Sequence, residues 1–199
     1  MEATIQNIVK ANGGYITSRD IKRIGMPTVY LTRYVRKHGL RKIARGFYGT
    51  KEWLVDPYLV FQYFYPKFIY SFGSAIYLHG LGDAMPNYLE VTGPLNYRPM
   101  STPKDDIIVH TDTVDQSYNL GIVKVTTGLG NIVKVYDREK TICDLIKHRE
   151  KVEFETYVKA LTLYAKSKSK NINRLMEYAR IMKIEAKVRD QVEIILYAY

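Results

Sequence analysis

The sequence predicts an α+β protein: a winged helix-turn-helix at the N-terminus, then a mixed α/β domain with a small sheet and C-terminal helices. Three observations predict it. Residues 1–51 are punctuated as three short helices and a hairpin, the order such a module requires. Four short β-prone runs lie mid-chain, and apolar residues at helical spacing fill the end. Charge divides the same way. Residues 1–51 hold 11 Lys/Arg against only Glu2 and Asp20, whereas residues 52–199 hold 19 against 18 Asp/Glu, within a chain of net charge +10.

In the head, Ile5, Ile8 and Val9 recur at helical spacing, and Asn12-Gly13-Gly14 stops that helix. Thr17-Ser18-Arg19-Asp20 is a capping-box-like start, a hydroxyl followed three residues on by a carboxylate. It opens a second helix through Ile21 and Ile24 to Gly25. Pro27 falls in the first turn of a third helix that runs to about Lys37 and closes at Gly39. Two β-prone runs then flank Arg45-Gly46 as a tight hairpin. Trp53 to Pro57 forms the junction, which divides the chain into domains 1–54 and 55–199.

Beyond it, Tyr58–Tyr65 and Ser74–Leu81 are expected helices, the second ended by Gly80 and Gly82. Strands are expected at Tyr88–Thr92, Ile107–Thr111, Gly121–Thr126 and Ile132–Tyr136, the last two joined by a hairpin loop over 127–131. Asp137 caps a helix holding Ile142, Leu145 and Ile146. Phe154, Tyr157, Val158, Leu161, Tyr164 and Ala165 form the apolar stripe of the next. Ser167-Lys168-Ser169-Lys170 is a loop, and two amphipathic helices finish the chain.

Composition narrows the function classes. A chain that is 46% hydrophobic and 25% charged can bury a core. Cys143 is the only cysteine, which excludes an intrachain disulfide and paired-thiolate metal sites and suits a reducing cytoplasm. Residues 1–6 lack a signal-peptide pattern, and Gln62 and Pro66-Lys67 interrupt the apolar run 58–81 before it could span a membrane.

So one-sided a field over about 50 residues is expected to collect a polyanion, most simply double-stranded DNA. In a helix-turn-helix the second helix of the motif enters the major groove. Here Leu31, Tyr34 and Val35 make its inward stripe, leaving Thr28, Thr32, Arg33, Arg36 and Lys37 outward. Thr28, Thr32 and Arg33 are candidates for base contact, since Arg grips guanine O6/N7 bidentately. Arg36, Lys37, Lys42 and Arg45 are candidates for phosphate, with Arg45 at the wing tip. Arg19 and Lys22 on the preceding helix complete the set.

No catalytic constellation stands out. His38, His79, His110 and His148 are scattered without ligand spacing, and Asp105-Asp106, Asp112 and Asp115 read as turn residues at strand ends. Gly73-Ser74 followed by Asp83 suggests a polymerase-β-type nucleotidyltransferase. Two-metal chemistry needs a second carboxylate on the same strand, and Asp83-Ala84-Met85 has none. No enzyme activity, metal or cofactor is expected. Fourteen of the 18 tyrosines lie beyond residue 51. Tyrosine suits half-buried interface positions, so a protein-binding surface is expected on the body.

Three stretches resemble the AbiEi-type antitoxins of bacterial abortive-infection (type IV toxin–antitoxin) systems. They are the head ending in Arg45-Gly46-Phe47-Tyr48-Gly49, residues 73–81 with Pro86, and residues 135–146. The resemblance implies an N-terminal winged helix that represses its own operon by binding inverted repeats in the promoter. It also implies a C-terminal domain that counteracts a cognate AbiEii-type nucleotidyltransferase toxin, for which direct contact is not required. It carries no catalytic residues. Two alternatives stay open: a stand-alone winged-helix regulator with a ligand-sensing or dimerising body, and an enzyme that uses the head for targeting.

Overall fold

In the computed structural model, which describes residues 1–83, 85–95, 97, 106–111 and 115–197, the chain divides into two units, Met1–Pro57 and Tyr58–Tyr199. The first holds α1 (Glu2–Ala11), β1 (Tyr15–Thr17), α2 (Ser18–Arg23), α3 (Thr28–His38), β2 (Arg41–Ala44) and β3 (Phe47–Gly49). Ile5 and Val9 of α1 pack with Ile16, Ile21, Leu31 and Tyr34 as a buried core. The three strands form an antiparallel sheet in the order β1-β3-β2. This is a winged helix-turn-helix, its hairpin turning at Arg45-Gly46.

The expected capping box is present. Thr17 Oγ1 accepts from the Asp20 amide at 3.2 Å while the Asp20 carboxylate accepts from the Thr17 amide at 2.9 Å. The same Thr17 ends β1, a strand that the sequence pattern does not predict. Three residues are too few to show alternation, and one of them already serves as a cap. Pro27 stands one position outside α3 as its N-cap, not in the first turn; its extended ψ of 139° lets the helix begin at Thr28. Gly39 closes α3 in the left-handed region at φ 62°, where a side chain would be strained. Tyr15, Phe47 and Trp53 pack ring on ring, with centroids 5.1–5.6 Å apart.

The second unit holds α4 (Pro57–Phe64), β4 (Ile69–Tyr70), α5 (Phe72–Leu78), β5 (Leu89–Gly93), β6 (Ile107–Thr111), α6 (Asp115–Tyr118), β7 (Ile122–Thr126), β8 (Ile132–Tyr136) and α7 (Arg138–Lys147). After a 3-10 turn come α8 (Phe154–Lys166), α9 (Ile172–Ile181) and α10 (Glu185–Tyr197). Its five-stranded sheet runs β6-β5-β4-β8-β7. The middle strand, β4, is two residues long and is not among the strands expected from the sequence. Tyr70 pairs antiparallel with Val91 and parallel with Val135, so partners on both sides define the strand, not its own pattern.

Asp137 caps α7 as expected, accepting from the Lys140 amide at 2.8 Å. Gly121 ends the turn before β7 at φ 64°, where a Cβ would sit 2.6 Å from the Asp137 carboxylate. The stripe expected on α8 needs correction. Phe154 and Val158 are exposed, while Tyr157, Ala160, Leu161, Tyr164 and Ala165 are buried. The core lies against a different arc of the helix, set by α7 and α10.

Two histidines are expected to make this unit sensitive to acid. Burial pushes the His79 imidazole below its ordinary 6.5, where a ring nitrogen meets the Tyr136 carbonyl at 2.6 Å. Burial does the same to His148, helped by Lys147 and Lys151. Both groups are depressed in the fold, so the unfolded chain binds protons first as pH falls. Their stabilising contribution is complete above about pH 6.5 and is lost progressively below it. Urea unfolding midpoints are expected to drop from about pH 6.5 downward, and His79→Gln to flatten that drop. Equal slopes in the two proteins would remove His79 from the account.

Candidate nucleic-acid interface

Helix α3 presents the candidate reading face. Leu31 and Tyr34 are buried and Val35 half-buried, which fixes the rotation of the helix. At about 100° per residue, Val29, Arg33 and Arg36 lie opposite that stripe, with Thr28 and Thr32 beside them, and all five are exposed. Among the described residues neither Arg33 nor Arg36 meets a carboxylate. The Arg33 guanidinium lies 6.0 Å from the Tyr30 ring centroid, at the outer limit of a cation–π contact. Thr32 Oγ1 reaches back to the Thr28 carbonyl at 3.4 Å, a long bond that leaves the hydroxyl able to rotate outward.

The remaining candidates occupy the flanking elements. Arg19 and Lys22 are exposed on α2, Lys42 on β2, and Arg45 at the hairpin turn. Lys37 carries an ion pair. Its ammonium sits 2.9 Å from Glu2, whose carboxylate also meets His38 at 2.8 Å. These two partners hold the Glu2 carboxyl below its ordinary value. Lys37 is thereby turned toward α1, a tie the sequence hides because its partners stand 35 residues apart. Glu2→Gln is expected to release it, deepening the slope of log K against log salt by about one unit on any duplex. An unchanged slope would mean that Lys37 lies out of reach of phosphate.

Two further arginines are structural. Arg41 donates to the carbonyls of Thr50 at 3.3 Å and Trp53 at 2.7 Å, tying the hairpin to the segment after it. Arg23 pairs with Asp20 at 3.3 Å.

In the second unit a polar cluster is built around the Gly73-Ser74 pair. Ser74 Oγ accepts from the Glu90 amide at 2.8 Å, and the Gly73 amide donates to Glu90 Oε1 at 3.2 Å. Glu90 Oε2 lies 2.9 Å from His110 Nε2, and the His110 ring lies tilted against Phe72, centroids 4.0 Å apart. Phe72 holds a left-handed φ of 44°, a strained value for a bulky residue. Asp83 takes no part, being exposed and paired with Lys159. The carboxylate aligned with the Gly-Ser pair is Glu90 on β5, which linear spacing misses. Two residues on, Thr92 donates its hydroxyl to Ser71 at 2.9 Å, so the strand presents one carboxylate rather than two.

A cleft of about 470 Å³ opens beside this cluster, lined by Phe72, Tyr88, Glu90, His110, Lys151 and Lys159. Among the described residues no three His, Cys, Asp or Glu side chains are grouped to hold a metal ion. Asp105 and Asp112 lie outside the described residues. Cys143 is buried and its thiol is pushed well above its usual value, chiefly by burial, which leaves it unreactive. No helix among the described residues is long and apolar enough to cross a membrane.

Comparison with known proteins bears on both units. Residues 4–50 match the family model described as "Transcriptional regulator, AbiEi antitoxin". That span runs from within α1 through β3, so the resemblance to AbiEi antitoxins holds over nearly all of the winged module. No curated protein matches the chain. Among solved structures, the RV2827C protein from Mycobacterium tuberculosis shares the fold, with a TM-score of 0.58 at 13% identity, over 98% of this chain and 79% of that one.

Proposed function

We propose that this AbiEi-like regulator is the antitoxin and autorepressor of a type IV toxin–antitoxin operon that acts in abortive phage infection. The winged head binds inverted repeats in the operon's own promoter. The second unit counteracts a cognate AbiEii-type nucleotidyltransferase toxin, without catalysis or a cofactor, in the cytoplasm. The observation that carries this reading is the outward face of α3, Thr28, Thr32, Arg33 and Arg36, inside a module that matches AbiEi regulators over residues 4–50. Base-reading and phosphate-holding groups stand side by side on the helix that such modules insert into the major groove.

Co-expression with the adjacent gene of the operon tests it. The full chain is expected to relieve that gene's toxicity and to protect paired repeats in the shared promoter from nuclease. Protection without relief would favour a stand-alone regulator. The cleft beside Glu90 and His110 supports that second reading, since it could seat a small effector.

A further inference from the structure

Val29 is the apolar residue at the centre of the outward face of α3, and 48% of it is exposed. Its neighbours on that face are Thr28, Thr32, Arg33 and Arg36, all hydrogen-bond donors and two of them cationic. The buried core of the unit is complete without it. Valine also disfavours the helix slightly, because its branched side chain loses rotamer freedom there. Neither packing nor local propensity explains it.

An occupant for this side chain follows from its surroundings. Two cations and two hydroxyls beside an apolar spot disfavour a cationic protein surface and favour a polyanion with one apolar feature. The major groove of DNA has that composition: its floor presents donors and acceptors, and its only apolar group is the thymine C5-methyl. Val29 is the second residue of α3, within the N-terminal turn that meets base edges in a helix-turn-helix.

We infer that Val29 reads a thymine, its methyls packing on the C5-methyl group while Thr28, Thr32 and Arg33 hydrogen-bond to the flanking pairs. The inference rests on the DNA-binding reading above and adds a specificity determinant to it. A purine at that position would offer Val29 no methyl, and cytosine carries only a hydrogen at C5.

The test begins by selecting duplexes from a random library with the full chain, then replaces each thymine of the winning site in turn by deoxyuridine, which lacks only the methyl. At one thymine per half-site the replacement is expected to weaken wild-type binding roughly three- to five-fold, the worth of one buried methyl. Val29→Ala should lose about as much on the thymine site and become indifferent to the replacement, so the two changes are not additive. Val29→Thr, nearly isosteric, separates shape from polarity and is expected to relax the choice at that pair.

A deoxyuridine scan flat at every position, or an equal penalty in wild type and Val29→Ala, would overturn the inference and leave DNA binding standing. A library from which no sequence is enriched would overturn specific DNA reading itself. Self-association abolished by Val29→Ala, with the deoxyuridine scan flat, would assign the residue to a contact between copies.

Discussion

Asp144→Ala is expected to destabilise the second unit by about 3–5 kcal/mol, the cost of breaking a buried ion pair by removing one partner. Lys140 and Asp144 stand one turn apart on α7, with Nζ to Oδ1 at 2.5 Å and only 1% and 6% of their side chains exposed. The Lys140 ammonium also lies 4.6 Å from the Tyr136 ring centroid. Removing the carboxylate takes a close counter-charge from an ammonium buried on α7, where water resolvates it poorly. Replacing both partners with apolar side chains of similar volume, Lys140→Met with Asp144→Leu, should by contrast be neutral or mildly stabilising. Urea unfolding of the full chain, followed by circular dichroism, measures both. A loss below about 1 kcal/mol for Asp144→Ala would show that the ammonium finds other partners.

The second large effect concerns recognition. Arg33→Ala is expected to cost about 1–3 kcal/mol on a selected site and to blur preference at one base pair, as removal of a bidentate guanine contact does. Arg36→Ala should instead weaken every duplex alike and reduce the salt slope by about one unit. The two residues are three apart on the outward face of α3, both exposed, so a general loss of helix or charge would affect them equally. Fluorescence anisotropy on selected and random duplexes, across a salt series, separates them. Equal losses on both duplexes for Arg33→Ala would refute a base-reading role.

Much of the head can be read from the chain because its signals are local. The Thr17–Asp20 capping box, the stop at Gly39 and the Arg45-Gly46 turn each involve residues a few positions apart, and each is present in the fold. The exposure of all nine candidate DNA-contacting side chains follows from helical periodicity and hairpin geometry in the same way. The same rotation places Val29 on the outer face, with neither charge nor hydroxyl to mark it. The tie on Lys37 has no local signal, because Glu2 reaches it from a different helix.

The body is less legible. Its outer strands carry enough alternation to be seen, whereas the central β4 is two residues long and exists only because β5 and β8 bracket it. The Gly73-Ser74 pair points along the chain to Asp83 as the next acidic residue, but hydrogen bonding across the sheet joins it to Glu90. On α8 the apolar residues extend over a wider arc than the core uses, so periodicity alone cannot place Phe154 and Val158 in solvent.

The amino acids alone settle where charge collects, where helices start and stop, and that a basic winged module precedes a neutral α+β body. Those properties depend on neighbours within a turn or two, and short-range sterics and hydrogen bonding decide them. Which carboxylate meets which base, which strand lies at the centre of the sheet and which lysine is left for a ligand are decided by the folded chain. Such pairings join residues tens of positions apart, and their free energies appear only once burial has removed the competing water.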